Sequence, residues 1–395
     1  MNKVLEGVRV LDFGRYIAGP LCAALLGDFG ADVIRIERVG GGEDRYQYPV
    51  TDNGEGPCFL QMNRNKRGIT LDPMSEGGRE ILKRLIATSD VVVANLPADS
   101  LKTMGLDYEY LKTINPKIIL SGISAFGEHG PYGNRLGFDG IAQVMSGAAY
   151  LSGFDGRPTK SYASFVDVST GVYAALSTLA AIMEQKQTGR GQEVQTMLFA
   201  TALSIVNFLL IEQDMVKKNR VASGNRAQST GPADVFQTKD GKWIIAQSLG
   251  DNLFKRWARL MGETHWLEDP RFTTDELRAD NGEILSARMR EWAIQYTAKE
   301  ALELLAKARL PAGPVLSPQQ VLDDPHVNAT NIFTRVDYPG LPKPYGLVTT
   351  PSTFSASPVE VTRRPPTVGE HTDEVLKSIG YDEAEIETFR QSGVI

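Results

Sequence analysis

The chain has 395 residues, 42% of them hydrophobic and 23% charged, which is enough for two domains with substantial cores. A net charge of −6 argues against a general nucleic-acid or anionic-membrane surface, so any phosphate site must be a local basic cluster. With only two cysteines and four scattered histidines, neither a disulfide framework nor a zinc-ligand spacing is supported, and no bound metal is expected.

The opening segment, Met1 to Gly7, lacks the apolar core of a signal peptide. No stretch reaches the ~18 uninterrupted apolar residues of a membrane span, so a cytoplasmic protein with no membrane partner is the expectation. Val8 to Phe13 reads as a buried strand, followed by Gly14, a short loop, and Gly19-Pro20 opening a helix through Leu26. Cys22 falls inside that apolar helix and reads as a small buried hydrophobe. Ala31 to Glu37 is the next strand, alternating apolar and charged residues.

Arg67–Leu71, Val91–Ala94 and Ile118–Ser121 continue as strands, with helices at Gly77–Ala87, Ala98–Met104 and Tyr108–Ile114 between them. This alternation predicts an α/β fold around a largely parallel sheet with right-handed crossovers. The first loop does not carry the dinucleotide fingerprint G-x-G-x-x-G, because Arg15, Tyr16, Ile17 and Ala18 separate Gly14 from Gly19.

A long helix is predicted over 168–185, then a turn at Thr188–Gln192, a strand at Glu193–Gln195 and a second long helix over 196–216. Ser223–Arg226 and Ser229–Pro232 punctuate the chain as a domain crossing would. Beyond them the texture changes to a hairpin around Lys239–Lys242 and charged amphipathic helices at 252–261, 281–295 and 299–309, which predicts a smaller α+β domain. The tail is Pro-rich around 340–366 and closes with short helices from Thr372 and Asp382. We therefore expect a large domain from 1–224, a small one from 225–325, and a C-terminal segment, 326–395, that completes the large domain.

Two features could carry chemistry. Asp167 stands where a polar loop gives way to the apolar helix, at or near the N-cap, where free amides and the helix dipole favour an anion. Such a carboxylate is either a cap or a nucleophile towards an activated acyl group. Arg35, Arg38, Arg64, Lys66 and Arg67 form a basic group that is either solvated surface or a ligand edge at the C-terminal ends of the early strands. None of the four histidines lies in a hydrolase elbow or an H-x-x-x-H pair, and His129 reads as a surface-loop residue.

Several blocks together resemble the family III CoA-transferases and the related α-methylacyl-CoA racemases. They are Leu5 to Asp12 with Gly19-Pro20, Gly30 to Glu37, Asn65-Lys66-Arg67 with Leu71-Asp72, Thr188 to Gln192, Gly369 to Thr372, and the closing Gly393-Val394-Ile395. The resemblance spans nearly the whole chain. It implies a Rossmann-like large domain, an interlocked homodimer, no permanently bound cofactor, and an acyl-CoA thioester and a small carboxylate as substrates. It also implies that Asp167 is the catalytic nucleophile and that Arg15, Tyr16, Ile17, Ala18, Arg38, Asn95 and Met104 contact CoA.

Two departures bear on specificity. Arg15 and Ile17 replace the His and Gln seen in formyl-CoA transferase, which argues against formate or oxalate. A guanidinium at Arg15 could pair with a second carboxylate of a dicarboxylate substrate, or with a CoA phosphate. In Gly137-Phe138-Asp139-Gly140 the racemases carry a histidine before the aspartate, and phenylalanine cannot move a proton, so transfer is expected over racemisation. Intramolecular CoA transfer within a diacid, an α-methylacyl-CoA racemase and a non-catalytic CoA-ester binder remain as alternatives.

Overall fold

A computed structural model describes residues 3–133, 135–154 and 156–395. Met1 and Asn2, at the start of the N-terminal segment considered above, lie outside the described residues. The chain forms two compact units. One comprises Met1–Ser146, Ser161–Asn207 and Ala329–Ile395; the other comprises Gly147–Lys160 and Phe208–Asn328.

The first unit alternates strands and helices in chain order. It begins with β1 (Arg9–Asp12), α1 (Ala18–Asp28), β2 (Asp32–Glu37), α2 (Pro57–Met62) and β3 (Lys66–Thr70). Next come α3 (Glu76–Ala87), β4 (Val91–Ala94), α4 (Ala98–Met104), α5 (Tyr108–Ile114), β5 (Ile119–Ser124) and α6 (Asp139–Met145). After α7 (Ala148–Leu151), which belongs to the second unit, follow α8 (Phe165–Thr188), β6 (Glu193–Met197) and α9 (Leu198–Val216), whose residues from Phe208 on belong to the second unit.

All six strands pair in parallel in the order β3-β2-β1-β4-β5-β6. Val10, Leu11, Ile34, Val91, Val92 and Val93 are almost wholly buried, as expected for strands covered on both faces. The order reverses between β1 and β4, and in open α/β sheets that reversal opens a crevice at the carboxyl ends of the strands. The loops after β1 and β4 carry Arg15 to Ile17 and Asn95, so the sheet itself places these residues at the crevice.

The second unit contains β7 (Ala233–Gln237), β8 (Trp243–Gln247), α10 (Gly250–Met261), α11 (Asp275–Asp280), α12 (Gly282–Ala293) and α13 (Ala298–Lys307). With β9 (Ala312–Pro314) the strands form a three-stranded antiparallel sheet, packed around Phe236, Phe254, Trp257 and Met289. Short α14 (Pro318–Asp323) and α15 (Pro325–Ala329) lead out of it. In the Pro-rich tail, β10 (Phe333–Val336) and β11 (Tyr345–Val348) form an antiparallel pair that composition did not reveal. Finally α16 (Thr372–Ser378) and α17 (Glu383–Gln391) bring Val375, Leu376, Ile386, Val394 and Ile395 into the core shared with Leu11, Ile34 and Leu82.

Two helices, α8 and α9, are long and apolar enough by length and composition to cross a membrane, with mean hydropathies of 1.5 and 1.4. An uninterrupted-run criterion misses them because polar residues such as Thr178 and Ser204 punctuate both. Helix α8 lies against α1, where Gly171 permits close approach: a Cβ there would sit 2.9 Å from the Ala18 carbonyl oxygen. Helix α9 leaves Phe208, Ile211, Met215 and Val216 exposed.

Candidate active site

The loop from Gly14 to Tyr16 is fixed through its backbone. Asp12 Oδ1 accepts from Gly14 N at 2.8 Å, and Arg35 Nη1 donates to Gly14 O at 3.1 Å. Asn95 accepts from Arg15 N at 2.7 Å and donates to Arg15 O at 2.8 Å. Asp44, paired with Arg35 through both of its oxygens, accepts from Tyr16 N at 3.2 Å. Together these bonds hold Tyr16 at φ +64°, a conformation that is uncommon for a bulky residue and is maintained only by its surroundings.

Arg15 turns inward: Nη1 donates to the carbonyls of Phe13 (3.1 Å) and Gly14 (3.0 Å). The same guanidinium lines a cleft of about 480 Å3 with Arg38, Met104, Ile36, Leu71 and Asp72. Arg15, Arg38 and Met104 are thus brought together. Asn95 lines a neighbouring smaller cleft and, through the bonds above, spends its amide on the Arg15 backbone. Tyr16 sets its ring edge-on to Phe138 with centroids 5.9 Å apart. Ile17 precedes the first turn of α1, and Ala18 is buried where α1 meets Gly171.

The other members of the basic group are not at this cleft. Arg35, Arg64, Lys66 and Arg67 are buried and ion-paired, respectively with Asp44 and Glu37, with Asp28, with Asp12, and with Asp32 and Glu374. Lys66 and Arg67 open β3 instead of flanking its C-terminal end. Burying four cations requires carboxylate partners; those of Arg35 are close in sequence, but those of Arg64, Lys66 and Arg67 are distant, so the grouping along the chain gave the wrong picture. Only Arg38 of the five is exposed at the cleft.

Asp167 stands near the N-cap of α8, as expected, but does not cap it. It lies within the first turn of α8; the N-cap is Ser164, whose side chain makes no capping bond. The cap comes from another element: Asp139 Oδ2, on α6, accepts from Val166 N at 2.8 Å and Asp167 N at 3.1 Å. Asp139 Oδ1 accepts from Gln143 Nε2, one turn along α6, and Gln143 Oε1 accepts from Ser161 N at 2.8 Å. The helix-end amides therefore serve Asp139 and not the Asp167 carboxylate, to which no described residue donates a hydrogen bond.

Burial, reinforced by the like charge of Asp139, pushes the Asp167 carboxyl up to about 7. Asp167 and Gly171 share one face of α8, four residues apart, and Gly171 meets Ala18. The thiol of Cys58 on α2 lies 3.9 Å from the Tyr16 carbonyl oxygen. Burial, with help from Asp44 and Asp167, pushes that thiol up to about 11. Cys58 thus touches the Tyr16 carbonyl and feels the Asp167 charge, although Asp167 is not among the residues lining either cleft. Asp139, Gln143, Asp44 and Cys58 were not singled out as site residues. The i, i+4 spacing of Asp139 and Gln143 was a readable signal, but their shared target lay outside their own helix.

Comparison with known proteins decides the family: the model of CoA-transferase family III matches residues 5–372. The chain belongs to that family. This CoA-transferase is 33% identical to the formyl-CoA:oxalate CoA-transferase of Rhodopseudomonas palustris, covering 100% of this chain and 97% of the relative. It is 34% identical to the succinyl-CoA–L-malate CoA-transferase beta subunit of Chloroflexus aurantiacus, over 99% and 98% of the two chains. Among solved structures, a CAIB/BAIF family protein from Brucella suis superposes with a TM-score of 0.83 at 32% identity, covering 96% of the CoA-transferase chain and 100% of its own. The enzyme transfers CoA from a thioester to a carboxylate, and coenzyme A enters as a substrate.

Proposed function

We propose that Asp167 is the nucleophile of this transfer and that a small dicarboxylate is the acceptor. The observation that carries the reading is the Asp167 carboxyl itself, which is half-buried, receives no hydrogen bond from a described residue and sits beside a like charge. A carboxylate so poorly solvated is a stronger nucleophile than one held by amides or a cation.

The chemistry balances without a metal or water. A carboxylate oxygen of Asp167 attacks the thioester carbonyl carbon, the C–S bond breaks, and CoA leaves as a thiolate. The thiolate then attacks the Asp167 carbonyl of the mixed anhydride, forming an aspartyl-CoA thioester and releasing the donor acid as its carboxylate. The acceptor carboxylate repeats these steps in reverse order and restores Asp167. Water must be excluded while the anhydride exists.

The cleft lined by Arg15, Arg38 and Met104 supports binding of the CoA nucleotide, with the two guanidiniums taking its phosphates. The inward direction of Arg15 favours this role over pairing with the acceptor. Acceptor choice is supported instead by the relatives named for oxalate and L-malate, both dicarboxylates. Tyr16, Ile17, Ala18 and Asn95 form and hold the loop at the thioester end. The exposed apolar residues of α9 support a homodimer, and the free thiols of Cys22 and Cys58 fit a cytoplasmic enzyme.

The test is to incubate the enzyme with succinyl-CoA, trap with hydroxylamine and map the modified peptide by mass spectrometry. Modification at Asp167, and new CoA esters from a panel of C4 and C5 diacids, are the expected results. Label at another residue, or full activity in Asp167→Ala, would falsify the nucleophile. In D2O without an acceptor, no deuterium should enter the α-carbon of a 2-methylacyl-CoA, because Phe138 has no proton to exchange.

A further inference from the structure

Asp139 occupies the position that a nucleophile on a helix end would be expected to use. Its Oδ2 takes the amides of Val166 and Asp167, and its Oδ1 is held by Gln143, so both oxygens are committed and the residue is 7% exposed. Gln143 is in turn fixed by Ser161 N at 2.8 Å, in the strand of loop that leads into α8. The segment from Ser161 to Asp167 is therefore tied to α6 at both ends. Gly171, one turn further on, is held against Ala18.

We propose that Asp139 is a positioning residue for Asp167: it caps α8 in place of the nucleophile, leaves the Asp167 carboxylate undirected by backbone amides, and sets a like charge beside it that acylation relieves. The assignment rests on the reading of Asp167 given above. When the Asp167 oxygen bonds to the thioester carbon and CoA departs as thiolate, the charge at Asp167 is lost and the repulsion with Asp139 ends. The pair thus favours the acylated enzyme over the free carboxylate, and the effect acts through ground-state electrostatics instead of contact with substrate.

Among the described residues, the titratable groups coupled to Asp167 are Asp139 on α6 and the Cys58 thiol on α2, and the α1 atoms nearest Gly171 belong to Ala18 and Leu21. Of these, Asp139 is the one whose charge opposes ionisation of Asp167. Asparagine at position 139 keeps an oxygen able to accept the two amides but removes the charge. Alanine removes both.

The experiment measures the rate of covalent labelling of Asp167 by succinyl-CoA, with hydroxylamine trapping, as a function of pH in wild type, Asp139→Asn, Asp139→Ala and Asp167→Ala. Wild-type labelling should rise with pH through about 7, since the attacking form is the carboxylate. In Asp139→Asn the rise should move to lower pH, and the fraction of enzyme held as the covalent species at fixed CoA should fall severalfold. Asp139→Ala should label at least tenfold more slowly than Asp139→Asn, because the amide end of α8 loses its acceptor. Superimposable pH profiles for wild type and Asp139→Asn, or equal slowing in the two Asp139 variants, would overturn the assignment while leaving Asp167 as nucleophile. Absence of label at Asp167 in the wild type would remove the nucleophile and this assignment together.

Discussion

Asn95 holds Arg15 by both of its backbone groups, accepting from the amide at 2.7 Å and donating to the carbonyl at 2.8 Å. This joins the loop after β1 to the loop after β4 across the point where the strand order reverses. Asn95→Ala should cost about 1–3 kcal/mol of stability, the net worth of two partly buried hydrogen bonds. It should also raise KM for acyl-CoA, because Arg15 and Tyr16 lose their fixed backbone. Urea melts and initial rates at varied acyl-CoA read the two effects; a stability loss with an unchanged KM would restrict Asn95 to a structural role.

Removing the charge of Asp167 should stabilise the protein above neutral pH. Its folded-state carboxyl is raised from 3.8 to about 7, so the native state holds a proton that the unfolded state has released across that interval. Stability from this group is consequently lost as pH rises from 3.8 to about 7, and the full penalty persists above. Asp167→Asn should melt higher than wild type at alkaline pH, and the difference should shrink on acidification. Thermal melts across the pH range check the sign: a lower melting point for the variant at alkaline pH would contradict it. A cap residue would behave in the opposite way.

Arg38→Ala and Arg15→Ala should each raise KM for acyl-CoA several-fold and leave KM for the acceptor acid nearly unchanged. Both guanidiniums line the same cleft, and loss of a phosphate contact weakens binding of the CoA partner alone. Wild-type KM for acyl-CoA should rise with ionic strength, and more steeply than in either variant. A selective loss of diacid over monoacid acceptors in Arg15→Ala would instead return Arg15 to the acceptor.

Gly171→Ala sets two effects against each other. Alanine is favoured over glycine within a helix by about 1 kcal/mol. Its methyl would meet the Ala18 carbonyl at 2.9 Å and the Leu21 Cβ at 3.1 Å, neither of which can swing aside, and such overpacking costs about 1–3 kcal/mol. A net loss of stability is expected, with a larger fall in turnover because the helix carrying Asp167 must shift from α1. Unchanged turnover in a folded variant would show that the spacing of α1 and α8 does not tune the site.

Strands β1, β2, β4 and β5 were legible because their buried apolar runs are local signals, and so was the helix that carries Asp167. What surrounds the carboxylate was not. Asp139 lies 27 and 28 residues before the amides it accepts from, and no local pattern links an aspartate to a helix that far downstream. The same limitation turned Lys66 and Arg67 into an apparent ligand edge: the Lys66 partner, Asp12, is 54 residues away. The β10–β11 pair was hidden for another reason, since four-residue strands inside a Pro-rich stretch give too short an alternation to read.

The core behind the sheet is closed by Val375, Leu376, Ile386 and Val394, which pack on Leu11, Ile34 and Leu82. A ribosome makes the chain from one end, so β1 to β6 are made long before these side chains exist, and the larger part of the second unit, Phe208–Asn328, is synthesised in between. Until then that flank of the nascent sheet is covered only in part, by α3 and α5 side chains such as Leu82, Leu85 and Leu111. Slowing elongation between Phe208 and Asn328 would lengthen that partly covered period, which makes the yield of active enzyme sensitive to codon choice in a region remote from the chemistry.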